Sequence, residues 1–242
     1  MWEFLQTYGP RLLDGALVTC AQFILAALVA CVAALAAGLG RLSSLWPVRS
    51  LSVVYIELFR GTSLLVQLYW IFFVLPLFGI SLPKFEAGFL SVGLNVGAYG
   101  AEIVRGAIQA VPRGQWEAGY ALSMSPAKRM RRIILPQALV LMLPPWGNLM
   151  IELLKGSALV ALIAVPDLMF VAKQINGATF RSAEAFGAAL LVYYLLARVL
   201  ITPAMLLASG GLEQLERFEG MRVRVDSLTV TAPTAGNVSE AN

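Results

Sequence analysis

The chain has 242 residues, of which 59% are hydrophobic and only 13% charged, with a mean hydropathy of +0.76. That is more apolar side chain than the core of a water-soluble domain of this length can bury, so the composition excludes an ordinary soluble protein and makes a lipid bilayer the solvent. No histidine occurs, which removes the commonest metal ligand and proton shuttle, and the net charge of +4 reads as loop bias in a membrane protein rather than as a nucleic-acid surface.

Crossing the hydrocarbon takes about 20 mostly apolar residues per helix. Five stretches qualify, at roughly 12–39, 61–80, 87–111, 133–154 and 183–209. The fold class expected is therefore an all-α membrane protein with about five transmembrane helices. The first stretch lacks a basic leader, has Glu3 ahead of it, and at about 28 residues exceeds a signal-peptide core, so it is expected to be retained. On it Ala26, Ala30, Ala34 and Gly38 form a row of small residues, and Gly93, Gly97 and Ala101 form another on the third stretch. Such rows let helices approach closely, which drives association where lipid offers no hydrophobic gain. Cys20 and Cys31 lie eleven residues apart on one helix, about 16 Å, too far to bridge. Arg60 ahead of Gly61 marks the inner entrance of the second stretch. Pro144-Pro145 falls near the middle of the fourth and removes backbone donors, which predicts a broken helix of the kind transporters use at a midplane site. The last residues, 216–242, are polar and low in aromatics and are expected to be a disordered tail behind a membrane domain of residues 1–215.

Orientation follows from Lys and Arg in the connections. With the N-terminus outside, the inner side holds ten: Arg41, Arg49, Arg113, Lys128, Arg129, Arg131, Arg132, Arg217, Arg222 and Arg224. The outer side holds five: Arg11, Lys84, Lys155, Lys173 and Arg181. The expected topology is N-out, C-in.

Between the third and fourth stretches lies EAGYALSMSPAKRMRRIILPQ, Glu117 to Gln137, a short amphipathic helix followed by a knot of positive charge. Pro112 closes the third helix, Gln115 to Leu122 are good helix formers, and Pro126 stops the run. Such a helix suits docking into a partner's groove; it equally suits lying on acidic headgroups, and composition does not choose between the two.

Ionisable groups inside spans are costly and face a cavity or a neighbouring helix. Asn95, Tyr99 and Glu102 share one face of the third stretch, and Asn148, Glu152 and Lys155 repeat the spacing on the fourth. Lys155 can face a carboxylate and Glu152 an ammonium of a zwitterionic cargo, or the two can pair with each other at i, i+3. The same choice holds for Glu102 and Arg105. Arg198 on the fifth stretch either pairs with an acid elsewhere or snorkels.

The run Glu117-Ala118-Gly119, with Leu122, Ser123 and Ile134-Leu135-Pro136, resembles the EAA loop of binding-protein-dependent ABC import permeases. NVGAYGAEIVRGAIQAVPRGQWEAGYAL and ELFRGTSLLVQL are similar to the polar amino acid and opine branch, over about residues 10–215. The resemblance implies a five-helix permease core in the bacterial cytoplasmic (inner) membrane, with residues 113–126 as a cytoplasmic coupling helix whose Glu117, Ala118, Gly119, Leu122 and Ser123 seat in a separate ATP-binding cassette ATPase. It also implies a second permease subunit, identical or homologous, and an extracytoplasmic solute-binding protein. The candidate pathway residues are those of the two polar stripes, Asn95, Tyr99, Glu102, Asn148, Glu152 and Lys155, with Ser157 just after them. Two departures stand out. The family reads EAAxALG where this chain has Gly119 and Ser123, and KDTSL where it has Lys155-Gly156-Ser157-Ala158-Leu159.

No GxxxxGK[ST] phosphate loop occurs, and no Ser/His/Asp or Cys/His set can be assembled. The chain is thus expected to be a transport subunit rather than an enzyme, with no catalytic residue, cofactor or metal of its own; ATP and Mg belong on the partner. The branch implies a polar amino acid as cargo, with an opine or an ectoine-like compatible solute as the alternative. A secondary carrier would need inverted repeats or an ion relay, and a non-transporting scaffold would tolerate neutral replacements in both polar stripes.

Overall fold

In the computed structural model, which describes residues 2–200, every regular element is helical. The end of the fifth expected span (201–209), the expected tail (216–242) and Arg217, Arg222 and Arg224 lie outside the described residues. In chain order come α1 (Trp2–Arg41), α2 (Trp46–Gly61) and α3 (Leu64–Tyr69), which runs on through a π turn at Trp70–Val74 and a 3-10 turn at Leu75–Phe78. Then follow α4 (Lys84–Ala110), α5 (Arg113–Ala121), α6 (Pro126–Arg129), a π turn at Met130–Ile134, α7 (Leu135–Ser157), a 3-10 turn at Ala158–Ile163, α8 (Leu168–Thr179) and α9 (Ser182–Leu200). Four helical runs are long and apolar enough to cross a membrane, and the pair α2 and α3 adds a fifth crossing if read as one bent span.

The architecture is set by α1 against α4. Ala26, Ala30 and Ala34 are buried on α1 and Ala101 on α4, so the two rows of small residues face each other. A Cβ on Gly93 would stand 2.7 Å from Val29 Cβ and 2.8 Å from the Ala26 carbonyl oxygen. With those side chains missing the backbones meet, and packing replaces the hydrophobic drive that lipid does not provide. α7 packs against α4 and also touches α1, and Val92 and Val96 join Ala26, Ala30, Met150, Leu153 and Leu154 in one buried cluster.

The expected first stretch, 12–39, lies within a longer helix, Trp2–Arg41. Two expectations need correction. The stretch 61–80 is not a straight helix: Gly61 ends α2, and the chain turns by 108° before α3 starts at Leu64. The reason lies in Thr62, whose backbone leaves the helix for an extended conformation (φ −121°, ψ 156°), and in Arg49, Glu57 and Arg60, which make α2 too polar for a hydropathy window to register. Conversely, α7 runs unbroken through Pro144 and Pro145. Each proline deletes one N–H, but its ring fixes φ near the helical value, so the chain is not forced out of the helix.

A further element was hidden in the expected outer connection. α8 packs back onto α1, with Leu168 Cα 3.0 Å from where a Cβ of Gly15 would be. Asp167 caps α8, accepting from the Phe170 N–H at 2.9 Å, and Thr19 on α1 accepts from the Leu168 N–H at 3.0 Å. Tyr193 of α9 donates to the other Asp167 oxygen at 3.4 Å, which ties α1, α8 and α9 into one corner.

Candidate functional site

Two regions carry the polar residues singled out by sequence. The first is an open groove of about 410 Å³ along α7, lined by Asn148, Glu152 and Lys155 with Pro145, Leu149 and Ile151, and by Ile103 of α4. The i, i+4, i+7 spacing puts the three polar side chains on one stripe. Lys155 Nζ donates to Glu152 Oε1 at 3.1 Å, with both side chains about two-thirds exposed. The groove therefore offers one cation, one anion and one amide within a short stretch of otherwise apolar wall. Ser157 is turned away from it: the side chain is buried and donates to the Leu154 carbonyl at 2.7 Å. Gly156 lies against α3, where a Cβ would stand 3.0 Å from Leu64 Cδ2.

The α4 stripe is distributed differently. Asn95 is buried and donates to the Phe59 carbonyl at 3.1 Å and to Gln67 Oε1 at 3.0 Å. Gln67 in turn donates to the Phe59 carbonyl at 2.9 Å and to Thr62 Oγ1 at 2.7 Å. The bend between α2 and α3 leaves the Phe59 carbonyl without its helical partner, and these two amides satisfy it. Tyr99 is exposed, with the Arg60 guanidinium 5.5 Å from its ring centre. Glu102 has one oxygen paired with Arg41 and the other with Arg105, at 2.8 Å. Of the α4 stripe, only Tyr99 presents an open surface.

The second region is α5 and the turn behind it. Trp116 packs inward among Ile133, Ile134 and Met142. Glu117, Ala118, Tyr120, Leu122 and Ser123 are exposed, Leu122 at 72% and Tyr120 at 65%, whereas Gly119 is buried. Ser123 takes the left-handed conformation, φ 52°, and the Met124 N–H reaches back to the Gly119 carbonyl at 3.1 Å. This is the αL helix ending that glycine usually provides, so the departure at Ser123 leaves the turn intact at some cost in backbone strain. Lys128, Arg131 and Arg132 beside it are exposed, while Arg129 is buried.

A family model described as a binding-protein-dependent transport system inner membrane component matches residues 17–210. The chain belongs to that family. This inner membrane component is 45% identical over 192 residues to the probable amino-acid ABC transporter permease protein y4tF of Sinorhizobium fredii, covering 77% of this chain and 81% of that one. It is 40% identical over 176 residues to the L-cystine transport system permease protein TcyB of Bacillus subtilis, covering 72% and 75%. A crystal structure of an amino acid ABC transporter with histidines superposes with a TM-score of 0.80 at 35% identity, over 86% of this chain and 98% of that one.

Sequence reasoning missed four participants in this permease. Gln67, a lone amide in the run LLVQLYWIFF, was the visible sign of a polar tie inside the second span. Arg41 was counted only as a loop charge, yet it holds Glu102. Arg129 was counted the same way, yet it is buried under Tyr120 and Trp116. Asp167, in a Pro-Asp-Leu sequence ahead of an apolar run, was an available N-cap signal for α8.

Proposed function

We propose that this chain is the membrane-spanning permease of an ATP-driven importer, and that it passes a polar amino acid handed over by an extracytoplasmic binding protein. The observation that carries the reading is the groove along α7, where Glu152 and Lys155 lie 3.1 Å apart with Asn148 one turn before. An amino acid presents an ammonium and a carboxylate; Glu152 answers the first and Lys155 the second. Their mutual ion pair is the resting arrangement, opened when cargo supplies both counter-charges at once. Partial exclusion of water by the apolar walls, and by a second permease closing the groove, raises the strength of these contacts. That the named relatives are amino-acid and L-cystine permeases supports this class of cargo.

In the N-out, C-in orientation α5 faces the cytoplasm and acts as the coupling helix. Leu122 and Tyr120 expose apolar surface on a connection otherwise rich in Lys and Arg, the pattern of a helix that seats in a partner's groove. The partner is an ATPase chain, which binds ATP and Mg; Glu117, Ala118, Leu122 and Ser123 form the seat, and Gly119 lies behind them. Cells expressing Glu152→Gln are expected to assemble the transporter normally yet lose uptake of a labelled amino acid mixture relative to wild type. Unchanged uptake would remove Glu152 from the pathway, and transport by the purified chain alone without ATP would overturn the importer reading.

A further inference from the structure

Gly119 is buried beneath the side chain of Arg129, ten residues on. A Cβ on Gly119 would stand 2.7 Å from Arg129 Cγ and nearer still to its Cδ, so the arginine stem occupies the space that alanine would fill. The guanidinium is 3.6 Å from the Tyr120 ring centre and 5.7 Å from that of Trp116. Only 4% of Arg129 is exposed, and among the described residues nothing accepts from its buried Nε and Nη1. A buried cation in this state is held by the π faces and by the cleft that the missing Cβ opens.

Arg129 also begins a longer object. α6, the π turn, α7 and the 3-10 turn after it form one helical run, Pro126–Ile163, which carries Asn148, Glu152 and Lys155 about 28–39 Å from Arg129 at 1.5 Å per residue. The first turn of α5 is fixed to this rod by Trp116 and by Gln137 donating to Gln115 at 3.3 Å. The last turn is fixed by the clasp of Tyr120 and Gly119 on Arg129. Hence both ends of α5 are fastened to the rod that bears the groove.

We infer that Arg129, seated over Gly119 and against Tyr120, is a positioning residue that makes α5 and the 126–163 rod one rigid lever. A push on α5 then reaches the groove instead of being lost in a loose joint. The functional meaning rests on α5 being the ATPase-docking helix, while the clasp itself is a property of this chain. The departure at Gly119 is thereby explained: with Arg129 in place, alanine does not fit.

The test is a distance measured by pulsed electron paramagnetic resonance. Nitroxide labels go on Ala121→Cys, exposed in the last turn of α5 that the clasp holds, and on Leu162→Cys, exposed near the rod's far end, in a Cys20→Ala/Cys31→Ala background. The labelled permease, purified with its ATPase in liposomes, is expected to give one narrow distance, the same without nucleotide and after ATP-vanadate trapping. Arg129→Ala, and Gly119→Ala, which expels the arginine, should each broaden that distribution by about twofold or more, and the double variant no further. If Arg129→Ala fails to assemble, Arg129→Lys serves, since it keeps the charge but lacks the planar face and should broaden likewise. Wild-type widths in Arg129→Ala or Arg129→Lys would overturn the clasp. Should no ATPase copurify with wild type, the docking reading fails, and a narrow wild-type distance in the permease alone would still support the clasp.

Discussion

Replacing Asn95 by alanine removes two donated hydrogen bonds from the bend between α2 and α3, to the Phe59 carbonyl and to Gln67 Oε1. Side-chain hydrogen bonds between membrane helices average about 0.6 kcal/mol each and reach about 1.7. Leaving a buried amide oxygen on Gln67 without a partner adds roughly 1–3 kcal/mol. Gln67 Nε2 still holds the Phe59 carbonyl and Thr62, so the bend weakens without opening. The sum is about 2–4 kcal/mol, which for a chain of this size lowers Tm by roughly 5–15 °C. Thermal unfolding of the detergent-solubilised complex, followed by tryptophan fluorescence, measures it. A Tm within about 1 °C of wild type would refute the tie described above. Lost uptake at unchanged Tm would instead place Asn95 in contact with cargo.

Gly93→Leu should destabilise by about 3 kcal/mol or more, because the new Cβ meets the Ala26 backbone carbonyl and no rotamer relieves that. Gly106→Ala, where nothing lies within 4 Å, is the control and should instead stabilise by about 0.5–1 kcal/mol. Both are read as shifts in Tm. Asp167 lies in the connection after the fourth span, where burial pushes its carboxyl up to about 6 against the N–H groups of Phe170 and Met169, which pull it down. A raised folded-state value means that the native state holds the proton more tightly than the unfolded chain, whose carboxyl titrates near 3.8. Its contribution to stability is therefore complete below pH 4 and lost as pH rises through about 6. Asp167→Asn keeps an acceptor for the Phe170 N–H and cannot titrate, so its Tm should fall less than that of wild type between pH 4 and 6; parallel curves would refute the assignment.

How much was legible from sequence follows the physics of each feature. Long apolar runs and small-residue rows are summed properties of many residues, and α1, α4 and their shared face were readable from them. The bend after Gly61 was not, because it depends on where one carbonyl finds donors: Asn95 stands 36 positions away in the chain. The prolines misled for the opposite reason. Pro144 and Pro145 are the strongest local helix-breaking signal in the sequence, yet proline already has a helical φ, and α7 continues through them. The short helix expected over Gln115 to Leu122 was visible between its two prolines, and it forms at Arg113–Ala121. Trp116 in that run packs against the core, because the apolar cluster around Ile134 and Ala138 lies within reach of its ring.

Polar residues inside spans are functional candidates by default because lipid penalises them. In this permease that default divides according to whether a residue's hydrogen-bonding capacity is met within the chain. Asn95 has both N–H directions taken and Glu102 has a cation on each oxygen, so neither can serve cargo without dismantling a tie that holds α4 to α2 or to α1. Among the described residues Glu152 and Lys155 have only each other, exposed, on the wall of a groove. A charged pair of this kind contributes little to stability, being well exposed, so a structural role leaves its placement along a membrane helix unexplained. It follows that neutralising Glu152 should leave folding untouched, whereas neutralising Glu102 frees two arginines beside α4 and should disturb the fold first. The order in which stability and uptake fail in those two variants separates residues that hold the helices together from those that face the passage.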